Sequence, residues 1–124
     1  MIRDDFSLET ADWGNDRDRI DLCVVRDAVF VREQNVPPEM EVDEDDARSL
    51  HVLARGPDRA PVGTGRLSPD GKIGRMAVLS DWRRAGVGAS ILGLLLEQAR
   101  SRGLREVQLH AQAGAAGFYL KHGF

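Results

Sequence analysis

Trp82-Arg83-Arg84-Ala85-Gly86-Val87-Gly88-Ala89 joins an extended apolar run to a long amphipathic helix, and the nature of both neighbours follows from it. Before it, Lys72 to Ser80 reads as a strand; after it, Val87, Ile91, Leu94, Leu95 and Ala99 recur at helical spacing. The turn therefore feeds a helix N-terminus. There the first backbone N–H groups lack intrahelical partners and the macrodipole adds roughly half a positive charge, so an anion is favoured. Gly86 and Gly88 carry no Cβ, which lets a phosphate approach the backbone and permits positive φ. Arg83 and Arg84 add long-range attraction, and a diphosphate suits such a turn. The stretch is too short for a P-loop and lacks its lysine. It also lacks a three-glycine dinucleotide fingerprint. Taken alone it is compatible with ordinary loop chemistry as well as with anion binding, and the rest of the chain has to discriminate between them.

Upstream, Ile2 to about Leu8 can form a first strand, and Asn15 is a plausible N-cap with Asp16 and Asp18 in the first helical turn. That helix is expected to run to about Glu33, burying Ile20, Cys23, Val24, Ala28 and Val31, with Leu22, Val25 and Val29 widening the stripe. Pro37 and Pro38 forbid its continuation, and the acidic segment Glu39, Glu41, Asp43, Glu44, Asp45 and Asp46 is expected to be a long loop or a broken helix. Ser49 to Arg55, Val62 to Leu67 and the strand beginning at Lys72 form an antiparallel meander. Downstream, Gly103 closes the long helix, Glu106 to Ala111 alternates as a fifth strand parallel to the fourth, and a short helix spans Ala113 to about Lys121. The order β-α-β-β-β-α-β-α contains one βαβ crossover, which puts the anion site at the carboxyl end of its strand.

With 124 residues the chain is expected to be a single domain over 1–124, and 42% apolar with 30% charged residues is an ordinary globular composition. The net charge of −3, with basic residues scattered, gives no nucleic-acid footprint. Cys23 is the only cysteine, which excludes a disulfide framework and a zinc set and fits a reducing cytoplasm. Its place on the helix stripe makes it a small core residue rather than a nucleophile. The opening Met1-Ile2-Arg3-Asp4-Asp5 is no signal peptide, and the apolar run Ile91 to Leu96 is too short to span a bilayer. Three histidines without matched carboxylate spacing make no metal site.

The turn, read as Arg83, Gly86 and Gly88, resembles the (Gln/Arg)-x-x-Gly-x-(Gly/Ala) signature of the GCN5-related N-acetyltransferases (GNAT). About 30 residues on, Gly117-Phe118-Tyr119-Leu120-Lys121-His122-Gly123-Phe124 is similar to the same family's "FYxKxGF" segment. Phe30-Val31-Arg32-Glu33-Gln34-Asn35-Val36-Pro37, followed by Asp43, Asp46 and His51, looks like the ElaA/YjcF-like branch. The resemblance implies a mixed, mostly antiparallel α/β (α+β) fold in which the loop Arg83, Arg84, Ala85, Gly86, Val87, Gly88 and Ala89 holds the pyrophosphate of acetyl-CoA. Main-chain groups of Met76, Ala77 and Val78 would bond the pantetheine arm, while their side chains serve the core. It also implies two further strands after the "GF" segment; without them the fifth strand would be an exposed edge, so either the sequence is a truncated chain or a neighbouring subunit of a homodimer covers the gap.

Tyr119 matches the tyrosine that assists departure of the CoA thiolate, although Phe118 and Tyr119 could simply seat a short helix on the core. Many relatives carry a glutamate on strand four, whereas this strand offers Arg75 and no acid. Glu33 is the first substitute as general base, followed by Asp43, Asp46 and His51, and a water chain could replace any of them. His110 and Gln112 sit at the end of the fifth strand, where capping competes with proton relay. The expected activity is direct acetyl transfer to a primary amine of a small molecule or peptide, with no metal. The alternative is a non-catalytic acyl-CoA-binding module. The acidic segment would form a negative rim for a cationic amine, unless its carboxylates are solvated or pair with Arg32, Arg48 and Arg66.

Overall fold

In the computed structural model, which describes residues 4–109, five strands form one sheet in the order β1-β2-β3-β4-β5. The strands are β1 (Ser7–Ala11), β2 (Leu50–Arg55), β3 (Pro61–Leu67), β4 (Lys72–Val78) and β5 (Gln108–Leu109). The first four pair antiparallel, and β5 joins β4 in parallel, as the crossover requires. Helix α1 (Asp16–Arg26) continues as a π-helical segment, Asp27–Glu33. The single turn α2 (Pro38–Glu41) and a 3-10 turn (Asp46–Arg48) precede β2, and α3 (Val87–Ser101) connects β4 to β5. This is the fold expected from the sequence; the short helix expected after β5 lies outside the described residues.

Several local expectations are corrected. Among the described residues the first strand begins at Ser7 and runs to Ala11, past the expected end near Leu8, because its register is set by β2, with Ser7 opposite Arg55 and Ala11 opposite His51. Asn15 does cap α1, its side chain accepting from the Asp18 N–H at 3.0 Å. The buried stripe of that helix is rotated, however. Leu22, Val25, Arg26, Val29 and Phe30 face inward, while Ile20 and Val24 are 60% and 51% exposed. The acidic segment is a broken helix, one turn of α2 and one of 3-10, with Glu41 and Asp46 buried.

Alternation along β2 sends Val52 and Ala54 to one face and Leu53 to the other. On the first face, Val87, Ile91, Leu92, Leu95 and Ala99 of α3 pack with Leu67 and Ile73. On the second, Leu22 meets Leu53 and Ala11, and Val25, Val29 and Phe30 meet Ala77. Helix α3 comes so close because β3 offers glycine: a Cβ on Gly65 would lie 2.6 Å from Ile91 Cγ2 and 2.8 Å from Leu95 Cδ1. The sheet thus carries one helix on each side, and β4, between its two layers, leads directly into the glycine turn.

Candidate active site

After β4 the chain makes a 3-10 turn at Ser80–Trp82 and then passes through left-handed backbone at Arg84 (φ 61°) and Gly86 (φ 90°). Gly86 is the N-cap of α3 and supplies no capping side chain. The first i to i−4 bond there runs from the Ser90 N–H to the Gly86 carbonyl at 3.0 Å, so the N–H groups of Val87, Gly88 and Ala89 precede the helical ladder. Ala85 and Val87 are buried and anchor the turn from the core side. Gly86 thus carries the positive φ, whereas Gly88, already helical, contributes only its missing Cβ.

Strand β4 is bulged immediately upstream. Thr64 pairs with Ala77 and Arg66 with Gly74, leaving Arg75 and Met76 opposite Gly65 alone. Arg75 takes φ 49°, and the Thr64 hydroxyl donates to its carbonyl at 3.0 Å. On its other edge β4 is joined by β5 only at Lys72 and Ile73. Among the described residues, Gly74 to Val78 therefore has a strand on one side and none on the other. Ala77 is buried under α1, and Met76 and Val78 are half-buried on the α3 side.

The side chain of Arg83 folds back over the end of this strand. Its Nε donates to the Val78 carbonyl at 2.9 Å, and its two terminal nitrogens donate to the Glu33 carboxylate at 3.0 and 2.6 Å. The π-helical segment carries Glu33 to that position. The hydrogen bonds and charge of Arg83 hold the Glu33 carboxyl below its ordinary pKa. Glu33, the first candidate for general base, is thus an ion-pair partner of the glycine turn and a weak base.

Beneath the broken helix lies a network of charges. Arg26, fully buried, donates from Nε to the Glu41 carboxylate and from its terminal nitrogens to Asp46 at 2.8 and 3.1 Å. It also lies 5.3 Å from the Trp13 ring centroid. Arg66 donates to Asp43 at 2.8 Å and Asp46 at 2.9 Å, and Arg75 donates to Asp43 at 3.1 Å and to the Glu41 carbonyl at 3.0 Å. Burial pushes the Asp46 carboxyl up, but the hydrogen bond and charge of Arg26 outweigh it and the net shift is downward. His51, stacked on Trp13 at 5.2 Å, sits 2.8 Å from the Asp46 carbonyl; that oxygen can only accept, so Nε2 carries the proton. Burial holds His51 below its ordinary pKa, in a packed position.

Of the partners expected for the acidic segment, Arg66 pairs with it and Arg48 pairs with Asp45, whereas Arg32 turns to Asp27. The negative rim is consequently neutralised at Glu41, Asp43 and Asp46 by Arg26, Arg66 and Arg75. Sequence reading missed Arg26, although an arginine between two core valines of an amphipathic stripe is a signal that a carboxylate must be buried with it. Next to this network, Asp43, Asp45, Arg66, Ser68, Lys72 and Gly74 help line a cavity of about 190 Å³ that Arg75 also borders. Cys23 is half-buried and its thiol pKa is raised by burial, in keeping with a packing role. Tyr119, His110 and Gln112 lie outside the described residues. Among those described, no group of three or more His, Cys, Asp or Glu side chains is disposed to hold a metal ion, and no helix is long and apolar enough to cross a membrane.

The chain is similar in sequence and fold to known proteins. The uncharacterized N-acetyltransferase YjcF of Bacillus subtilis is 41% identical over 113 residues, covering 89% of this chain and 80% of that protein. The crystal structure of Escherichia coli ElaA superposes with a TM-score of 0.81 at 29% identity, over 95% of this chain and 86% of its own. A predicted acetyltransferase from Clostridium acetobutylicum, solved with acetyl-CoA, shares the fold with a TM-score of 0.76 at 17% identity, over 96% of this chain and 89% of its own. The profile of the acetyltransferase (GNAT) family matches residues 12–124, and with the relationship to YjcF this establishes that the chain belongs to the GNAT family of acetyltransferases.

Proposed function

We propose that the chain binds acetyl-CoA along the bulged half of β4 and transfers the acetyl group directly to a primary amine. The observation that carries this reading is the continuity of Gly74 to Val78, an edge with no strand neighbour among the described residues, with the uncapped first turn of α3. An extended pantetheine arm would bond the main chain of Met76, Ala77 and Val78 as an added strand does. The diphosphate would then meet the N–H groups of Val87, Gly88 and Ala89, with Arg83, Arg84 and Ala85 completing the loop. The groups present fit: positive φ at Gly86 and the missing Cβ at Gly86 and Gly88 leave the backbone approachable. The relative from Clostridium acetobutylicum, solved with acetyl-CoA, supports the same occupant.

In the transfer, the amine nitrogen bonds the thioester carbon, the carbon–sulfur bond breaks, and the sulfur leaves with the electron pair. Tyr119 is the residue assigned to donate a hydrogen bond or a proton to that sulfur. With Glu33 held by Arg83, a water chain takes the proton from the amine more readily than Glu33 does. Strand four offers Arg75 and no acid, where many relatives carry a glutamate on that strand, and this favours a second reading, a non-catalytic acyl-CoA-binding module.

Calorimetry with acetyl-CoA, followed by thiol release on a panel of amines, tests both. Gly86→Asp and Gly88→Asp should abolish binding, since a carboxylate would occupy and repel the phosphate site. Arg83→Ala should weaken it by about 1 kcal/mol, as one exposed charge-assisted contact does. Unchanged affinity in all three removes the phosphate-loop reading; binding without turnover on any amine selects the module.

A further inference from the structure

We propose that the cavity at the amino end of β4 is the acceptor pocket, and that it selects amines bearing a second, anionic group, a carboxylate or phosphate, through Arg75 and Lys72. The proposal rests on the reading that acetyl-CoA lies along Met76 to Val78. Its arm runs back along β4 from the glycine turn towards Arg75 and Met76, where the pairing of β4 with β3 is bulged. The cavity begins at that point, on Ile73, Gly74 and Arg75. A thioester at the bulge and an amine in the cavity would therefore be neighbours along one strand.

Size limits the guest. A cavity of about 190 Å³ has room for a small molecule. Charge selects it further. The lining contains Arg66, Lys72 and Arg75 against Asp43 and Asp45. Asp45 is paired with Arg48, and Asp43 is shared between Arg66 and Arg75. Arg66 also meets Asp46, and Arg75 also donates to the Glu41 carbonyl, so both guanidiniums are paired as charges. The buried Arg66 Nε nevertheless has no hydrogen-bond partner among the described residues, which leaves the cationic wall one acceptor short. Arg75 itself stays 26% exposed, in left-handed backbone that an arginine adopts only at a cost. An arginine there cannot act as a base; it can bind an anion in bidentate fashion. A purely cationic acceptor, by contrast, would meet carboxylates that are already neutralised.

The test uses the full chain and matched amines: propylamine against β-alanine, ethanolamine against O-phosphoethanolamine, and putrescine as a dication. Thiol release gives kcat/KM with acetyl-CoA, and amide NMR titration of the ligand-free protein gives binding at Ser68 and Gly74. The anionic member of a pair should exceed its neutral partner about tenfold in both readouts, and the two pairs separate phosphate from carboxylate selection. Arg75→Gln and Lys72→Met should raise KM for the anionic amine about tenfold while leaving the acetyl-CoA Kd unchanged. Lys72→Met guards against misfolding, because Lys72 is half exposed and pairs only with Asp70 among the described residues. Equal response to both members of each pair, or a preference that survives both substitutions, overturns the pocket. Failure of acetyl-CoA to bind in calorimetry overturns the CoA reading instead, and the NMR titration still scores the pocket.

Discussion

Arg83 is claimed by three groups: the Glu33 carboxylate and the Val78 carbonyl in this structure, and a phosphate in the proposed complex. The ion pair is about 40% exposed on both sides, so it adds little to stability, on the order of 0–1 kcal/mol. Its influence on binding is larger, because Glu33 competes with the phosphate for the same guanidinium. Glu33→Gln should therefore tighten acetyl-CoA binding about two- to fivefold, with the melting temperature nearly unchanged. Calorimetry reads this directly. A general base would behave otherwise, with Kd unmoved and kcat reduced roughly 10²-fold or more. Tyr119→Phe should show that second pattern, kcat down roughly 10²-fold at constant Kd, since its hydrogen bond develops as the thiolate leaves. The glycine turn was readable from Arg83, Gly86 and Gly88 because anion binding at a helix start depends on local sequence. The partner of Arg83 was not, since Glu33 lies 50 residues away and is delivered by a π-helical segment with no composition of its own.

Helix α3 and strand β3 show how closely two elements approach when one gives up its side chains. Gly65→Ala should cost about 1–3 kcal/mol in denaturant unfolding, because its Cβ would strike Ile91 Cγ2, which a β-branched side chain cannot easily withdraw. Gly93→Ala, whose Cβ meets nothing within 4 Å, serves as the control and should be neutral or stabilising by up to about 1 kcal/mol. The strands and α3 followed from period and turn residues, which are local. The face of α1 did not: apolar residues occur on both sides of it, and the choice of Leu22, Val25 and Val29 over Ile20 and Val24 is made by the sheet beneath. The β4 bulge was equally hidden, because left-handed backbone at position 75 carries arginine rather than glycine.

The charge network ties α1, α2, β3 and β4 together and sets how the whole chain responds to acid. Arg26→Met should destabilise by about 3–5 kcal/mol, since buried Glu41 and Asp46 would lose the cation they share, leaving Asp46 only Arg66. Two titrations then act in sequence. His51 faces the Asp46 carbonyl and carboxylate, Arg26, Arg66 and the Trp13 ring, and burial holds its pKa below the ordinary 6.5. A group whose folded pKa is depressed stabilises fully above its unfolded value, and that stability declines as pH falls towards the folded one. Melting temperature should accordingly begin to drop below about pH 6.5. Asp46, also depressed from its ordinary 3.8, adds a second loss only below about pH 4. Thermal melts between about pH 7.5 and 5.5 isolate the first step. His51→Gln can still donate to the Asp46 carbonyl but does not titrate, so its melting temperature should be flat across that window while the parent chain's declines. A parent profile already flat there would mean that His51 takes up its proton equally well folded and unfolded, and would remove it from the buried network.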